Sequence, residues 1–221
     1  MDPYSANHSF TNSFMNNIYE GLVRFNEKIE VEPALAESWQ SVSPTVWRFK
    51  LRQGVKFHNG EAFGADDVVF SWQRVQTPGS LSKLNLGGVK DVRKVDNATV
   101  DIETKEPFPL LLNALMNLPV MSKSWCEANN AKEASDLQQK KENYANRNTN
   151  GTGPFMVKSR EVDVKTVLVA NPTWWDKPKH NLTEVDFTPI QSDATRTSSL
   201  LSGALDATVS VPLQAVQRIN S

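Results

Sequence analysis

Val55-Lys56-Phe57-His58-Asn59-Gly60-Glu61-Ala62-Phe63-Gly64-Ala65-Asp66-Asp67-Val68 is the stretch that decides the fold of this chain. Val55 and Phe57 alternate with Lys56, as at the end of a half-buried strand. Asn59-Gly60 supplies the residue types that a tight turn with positive φ demands. A helix is expected from Ala65: Asp66 and Asp67 fall in its first turn, where carboxylates complement the helix dipole. Val68, Trp72 and Val75 then recur at i, i+4 and i+7, one apolar face.

Upstream, Val46 to Arg52 alternates Trp47, Phe49 and Leu51 with Arg48, Lys50 and Arg52, the period of two of a strand with one buried face. Pro33 suits the first position of a short helical turn, with Ala34, Leu35 and Trp39 as its buried side. Phe10 to Val23 reads as a helix through Phe14, Ile18 and Leu22, with Gly21 weakening its last turn. Downstream, Val89–Val95 and Ala98–Glu103 form two strands joined at Asp96-Asn97. Leu110–Leu115 is a short apolar helix, and Lys123–Arg147 a polar, solvent-facing helical excursion with loops. Further strands are expected at Phe155–Ser159, Thr166–Ala170, Glu184–Ile190 and Ala207–Val211, with a helix at Ala194–Ser202. Strands and helices mix without strict alternation, so the fold class is mixed α/β, of the α+β kind.

At 221 residues with 39% hydrophobic and 22% charged side chains, the chain can bury a substantial core. A net charge of −1 argues against a nucleic-acid surface. The single cysteine, Cys126, rules out an internal disulfide and reads as a small buried thiol. No apolar run reaches the length of a membrane span. His8, His58 and His180 are too scattered to build a metal face, so no metal and no cofactor is expected. Asp66 and Asp67, adjacent on a helix, diverge by about a hundred degrees and do not form a catalytic pair. No serine lies in a Gly-x-Ser-x-Gly elbow. Gly151-Thr152-Gly153-Pro154 lacks the Gly-Lys-Ser/Thr of a phosphate loop, and its glycines are expected to adopt positive φ ahead of a strand. Trp174-Trp175 could wall a ligand site, but packing is the favoured role.

Several of these segments together resemble the signature of the family 5 extracytoplasmic solute-binding proteins, the peptide and nickel receptors of bacterial ABC importers. They are Tyr19-Glu20-Gly21-Leu22-Val23, Pro33-Ala34-Leu35-Ala36-Glu37-Ser38-Trp39, Phe49-Lys50-Leu51-Arg52, the opening run around Phe57-His58, Gly151-Thr152-Gly153-Pro154, and Asp193 with Arg196 and Gly203 to Asp206. Gly64 departs from the pattern, standing where relatives place a threonine cap. Ser41 to Thr45 departs too, replacing an aspartate-glycine hairpin turn.

The resemblance implies lobe I of a two-lobed receptor that closes on a small solute and presents it to a membrane permease. The expected solute is a di- or oligopeptide, with nickel chelates, opines and sugars as family alternatives. It implies no enzymatic activity, a monomer, no nucleic-acid partner, and a periplasmic location, or an extracytoplasmic, membrane-anchored one in a Gram-positive host. Met1-Asp2-Pro3 matches an x-aspartate-proline motif, so residues 1–221 are expected to be a partial lobe I, without signal peptide, first strand, second lobe or C-terminal return. By order between motifs, the ligand-facing positions are Tyr4, Asn7, Ser82, Asn85, Asn117 and Met121. The competing readings are a hydrolytic enzyme, which needs a clustered nucleophile and base, and a peptide-interaction domain using exposed strand edges.

Overall fold

The computed structural model describes residues 1–5, 14–209 and 211–219. In the opening run the turn and the helix form as expected, while Val55 to Phe57 hold only an isolated bridge, Lys56 with Ala62, and no strand. Gly60 adopts φ +88°, and helix α1 (Ala65–Val75) buries Val68, Trp72 and Val75. Gly64 offers α1 no side-chain cap, but the Asp67 carboxylate reaches back to accept the Gly64 N–H at 2.9 Å. Its other oxygen accepts the Lys123 N–H, also at 2.9 Å. Burial pushes the Asp67 carboxyl above its usual range.

Helix α1 lies on a four-stranded antiparallel sheet made of β3 (Ala36–Ser43), β4 (Val46–Leu51), β5 (Val89–Asp96) and β6 (Thr99–Thr104), in the order β3-β4-β6-β5. The period of two read in β4 holds: Phe49 and Leu51 are wholly buried and Trp47 half-buried. Phe49 pairs with Val100 and Trp47 with Ile102. On the outer face Arg48 grips Asp101 across the strands through two bonds of 2.7 and 2.8 Å. A two-stranded ribbon, β1 (Val23–Phe25) with β2 (Val31–Pro33), precedes this sheet. A three-stranded antiparallel sheet, β7 (Phe155–Glu161), β8 (Lys165–Ala170) and β9 (Glu184–Phe187), follows it. Short helices α2 (Leu111–Leu115) and α3 (Lys123–Ala128) lie between the sheets in sequence, and α4 (Asp193–Leu201) comes after. One hydrophobic cluster runs from Tyr4 to Leu168 through both larger sheets.

Four further expectations fail, the first two because backbone groups find partners outside the expected helix. The stretch 14–22 is helical only at 14–15, although Phe14, Ile18 and Leu22 are buried as the pattern required. The carbonyls of Asn17, Ile18 and Glu20 accept from Phe155, Gly153 and Val120, not from the next helical turn. The rest of that expected helix, residues 10–13, lies outside the described residues. Pro33 ends strand β2 and does not start a helix, because Ala34 and Ala36 both donate to the Leu22 carbonyl. The excursion 123–147 holds only α3 and a single 3₁₀ turn (Tyr144–Asn146), and its inner side, Cys126, Ala131 and Ala145, is fully buried. Residues 207–209 form no strand.

Gly151 and Gly153 are required by close approach, not by positive φ. A Cβ on Gly151 would lie 1.9 Å from the Ile18 carbonyl oxygen, and one on Gly153 would lie 2.6 Å from that of Asn17. His58 completes this junction. Its N–H donates to the Gly151 carbonyl at 2.8 Å. Its ring Nε2 lies 3.1 Å from the Gly153 carbonyl, and its Nδ1 accepts the Gly151 N–H at 3.4 Å. That arrangement assigns the proton to Nε2 and suits a neutral ring, and burial holds the imidazole below its ordinary pKa.

Candidate functional site

A groove of about 550 Å³ opens where the segment after α1, helix α2 with the turn that follows it, and the 15–25 stretch meet. Ser82, Asn85, Asn113 and Asn117 bring hydroxyl and amide groups to its wall. The Asn85 amide donates to the Asn117 side-chain oxygen at 3.3 Å, and Asn117 donates to the Ala114 carbonyl at 3.2 Å. Three expected positions, Ser82, Asn85 and Asn117, thus converge although Ser82 and Asn117 are 35 residues apart in sequence. Asn7 lies outside the described residues.

Tyr4 and Met121 are corrected. Both are 0% exposed and neither lines the groove. The Tyr4 hydroxyl donates to the Pro119 carbonyl, its own carbonyl accepts from Leu81, and its ring lies 5.2 Å from the Arg74 guanidinium carbon. The Met121 N–H donates to the Ser71 hydroxyl at 2.9 Å. They brace the groove from behind, in the apolar core where an aromatic ring and a thioether bury most area.

Glu20, Arg24 and Trp174 line the groove although sequence order did not assign them to it. Glu20 is 9% exposed. Its carboxylate accepts the Trp174 indole N–H at 3.2 Å on Oε1, and on Oε2 the Trp175 indole N–H and the Thr152 hydroxyl, each at 2.8 Å. Burial raises the Glu20 carboxyl above its usual range, against the pull of these donors and of Arg24. Arg24 is itself engaged, by Glu32 at 2.7 Å and Asp176 at 2.8 Å. The two tryptophans divide the roles weighed for them. Trp175 is packed, with the Arg52 guanidinium carbon 4.2 Å from its ring centroid, while Trp174 faces the groove. The signal available in sequence was an acidic residue set among Ile18, Tyr19, Leu22 and Val23, all of them buried.

Behind the groove lies the strongest polar anchor. Arg74 and Asp2 are both fully buried at the side chain and joined by bonds of 2.7 and 2.5 Å. Arg74 also donates to the Ala131 and Glu133 carbonyls. Asp2 also accepts the N–H groups of Tyr4 and Ser135. This pair ties the first residues and the polar excursion to α1, and so fixes the Tyr4 brace.

A second concavity of about 530 Å³ sets Lys132 and Lys141 among Glu133, Asp136 and Glu142, without a convergent set of one chemistry. Among the described residues no group of three His, Cys, Asp or Glu side chains could hold a metal ion. His180 stacks on Phe155 with ring centroids 5.4 Å apart, and burial pushes the Cys126 thiol up to about 12. No helix among the described residues is long and apolar enough to cross a membrane.

The family model for the bacterial extracellular solute-binding proteins, family 5, matches residues 30–221. The chain belongs to this family. The periplasmic murein peptide-binding protein MppA of Escherichia coli is 30% identical over 93% of this chain and 40% of its own length. The periplasmic oligopeptide-binding protein OppA of Salmonella typhimurium is 26% identical over 99% of this chain and 42% of its own length. The chain therefore spans about two fifths of these curated relatives. Among solved structures, OppA of Burkholderia pseudomallei superposes with a TM-score of 0.84 over 99% of this chain and 45% of its own, at 24% identity. The fold is a partial lobe of the two-lobed family 5 architecture. The junction at Gly151 to Pro154 and the buried Asp2 have structural roles.

Proposed function

We propose that residues 1–221 form part of lobe I of the substrate-binding component of an ABC importer. The complete receptor captures a small solute between two lobes and presents it to a membrane permease, outside the cytoplasm. Closure is a population shift driven by contacts from both lobes. Family membership sets the class. The observation that carries the reading on this chain is the convergence of Ser82, Asn85 and Asn117 on one groove wall. Neutral amide and hydroxyl groups beside an indole fit the peptide bonds and side chains of a di- or oligopeptide, the solute proposed here, with Asn7 as a further contact.

The test is isothermal titration and thermal shift of the complete open reading frame with di-, tri- and tetrapeptides, a nickel–histidine chelate, an opine and a disaccharide. A peptide raises Tm by an amount that grows with its concentration, and Asn85→Ala or Asn117→Ala weakens it at least severalfold. A shift with only a non-peptide solute refutes the peptide assignment. Hydrolysis of a peptide lost on changing one serine refutes the receptor.

A further inference from the structure

We infer that Glu20, with Trp174 beside it, forms a subsite in the groove for a cationic group of the ligand, a primary ammonium or a guanidinium. This deepens the reading of the groove as a solute site and rests on it.

A carboxylate that is nine-tenths buried ordinarily has a cationic partner or becomes neutral, because desolvating an isolated charge is expensive. Among the described residues Glu20 receives only neutral donors: two indole N–H groups and one hydroxyl. The nearest guanidinium on the groove wall, Arg24, is already held by Glu32 and Asp176. Arg52 lies over Trp175. Among the described residues no cation is bonded to the Glu20 carboxylate, and Glu20 lines a solvent-accessible groove. Among the described residues Oε1 accepts a single bond, the long one from Trp174, and so keeps capacity for another donor. Trp174 supplies an indole next to that oxygen, and an indole face attracts a cation through its quadrupole. A ligand anion gains nothing comparable here. The elevated carboxyl pKa agrees with a charge lacking its counterion.

If Glu20 were only a latch for the two indoles, ligand charge would not matter. Titration of the complete protein with Ala-Lys-Ala, Lys-Ala-Ala and Ala-Ala-Lys is compared with the same peptides bearing ε-acetyl-lysine. At least one lysine peptide binds about tenfold or more tighter than its acetylated partner, as a charge-assisted bond allows. In Glu20→Gln that preference collapses. Equal affinity for all pairs in the wild type, or a preference that survives in Glu20→Gln, overturns the subsite.

A second measurement stands apart from peptide binding and from the folding of the variant. Each tryptophan gives one indole N–H resonance in a ¹⁵N spectrum, and the resonance lost in Trp174→Phe is that of Trp174. Butylammonium chloride shifts that of Trp174, and butanol at equal concentration does not. No difference between the two probes refutes the subsite even if no peptide binds. Binding of peptides without charge discrimination leaves the receptor reading intact and sinks this inference alone.

Discussion

Removing one partner of the Asp2–Arg74 pair tests whether the groove is held from behind. Arg74→Met leaves the Asp2 carboxylate buried with only the N–H groups of Tyr4 and Ser135, and frees the Ala131 and Glu133 carbonyls that Arg74 satisfied. Both side chains have no solvent exposure, so water cannot compensate. Breaking a buried pair costs about 3–5 kcal/mol. For a chain of this size each kcal/mol lowers Tm by about 2–4 °C, so Tm falls by roughly 6–20 °C. Equilibrium urea unfolding followed by tryptophan fluorescence gives the value. Asp2→Leu/Arg74→Met, which removes both charges, regains part of the loss, with a coupling of about 2 kcal/mol.

The pH dependence separates charge from packing. In the wild type, burial pushes Asp2 up, but the Arg74 hydrogen bonds and charge outweigh it and hold the carboxyl below its ordinary value. A depressed folded value means that this stability is present above the unfolded pKa and lost as pH falls through the folded one. In Arg74→Met burial is opposed by the N–H groups of Tyr4 and Ser135 without the guanidinium, the folded value rises, and the sign reverses: Asp2 then favours folding at lower pH. The urea midpoint of Arg74→Met therefore approaches that of the wild type between pH 7 and pH 5. A loss under 1 kcal/mol, strict additivity in the double variant, or a parallel pH course in the two proteins would refute the reasoning.

Gly151→Ala places a Cβ 1.9 Å from a backbone oxygen that cannot turn away and costs about 3 kcal/mol or more, whereas a Cβ at Gly87 would lie 3.5 Å from the Leu84 carbonyl oxygen, an ordinary contact, so Gly87→Ala costs about 1 kcal/mol or less; urea midpoints rank the two. The His58 ring is held below its usual pKa by burial, so its contribution is present above about pH 6.5 and is lost as pH falls through the folded value; between pH 7 and 5.5 the wild type loses stability that His58→Gln does not. Cys126, fully buried and with its thiol pushed up to about 12, reacts with a disulfide reagent only at the rate of unfolding; rapid labelling in native buffer would contradict its placement.

Elements whose periodicity agrees with their own backbone bonding were legible in sequence: α1 with its acidic first turn, the alternating β4, the β5–β6 hairpin and the Gly60 turn. Side-chain patterning and local turn chemistry decide these, and both lie within a few neighbouring residues. The family signature likewise rests on short motifs and needed no coordinates.

What the pattern could not reveal is where backbone groups find partners. Phe14, Ile18 and Leu22 have helical spacing and are buried, yet Asn17, Ile18 and Glu20 give their carbonyls to residues more than ninety positions away. The same holds for the site. Of the positions chosen by order between motifs, Ser82, Asn85 and Asn117 line the groove, while the tertiary packing buries Tyr4 and Met121. Glu20 and Trp174 meet across 154 residues, and Asp2 and Arg74 across 72. Sequence alone determined the family, the mixed α/β class and the local elements. Tertiary structure alone decided which polar groups are buried together and which face the groove, because desolvation and long-range hydrogen bonding depend on every segment that packs around a residue and not on its neighbours in the chain.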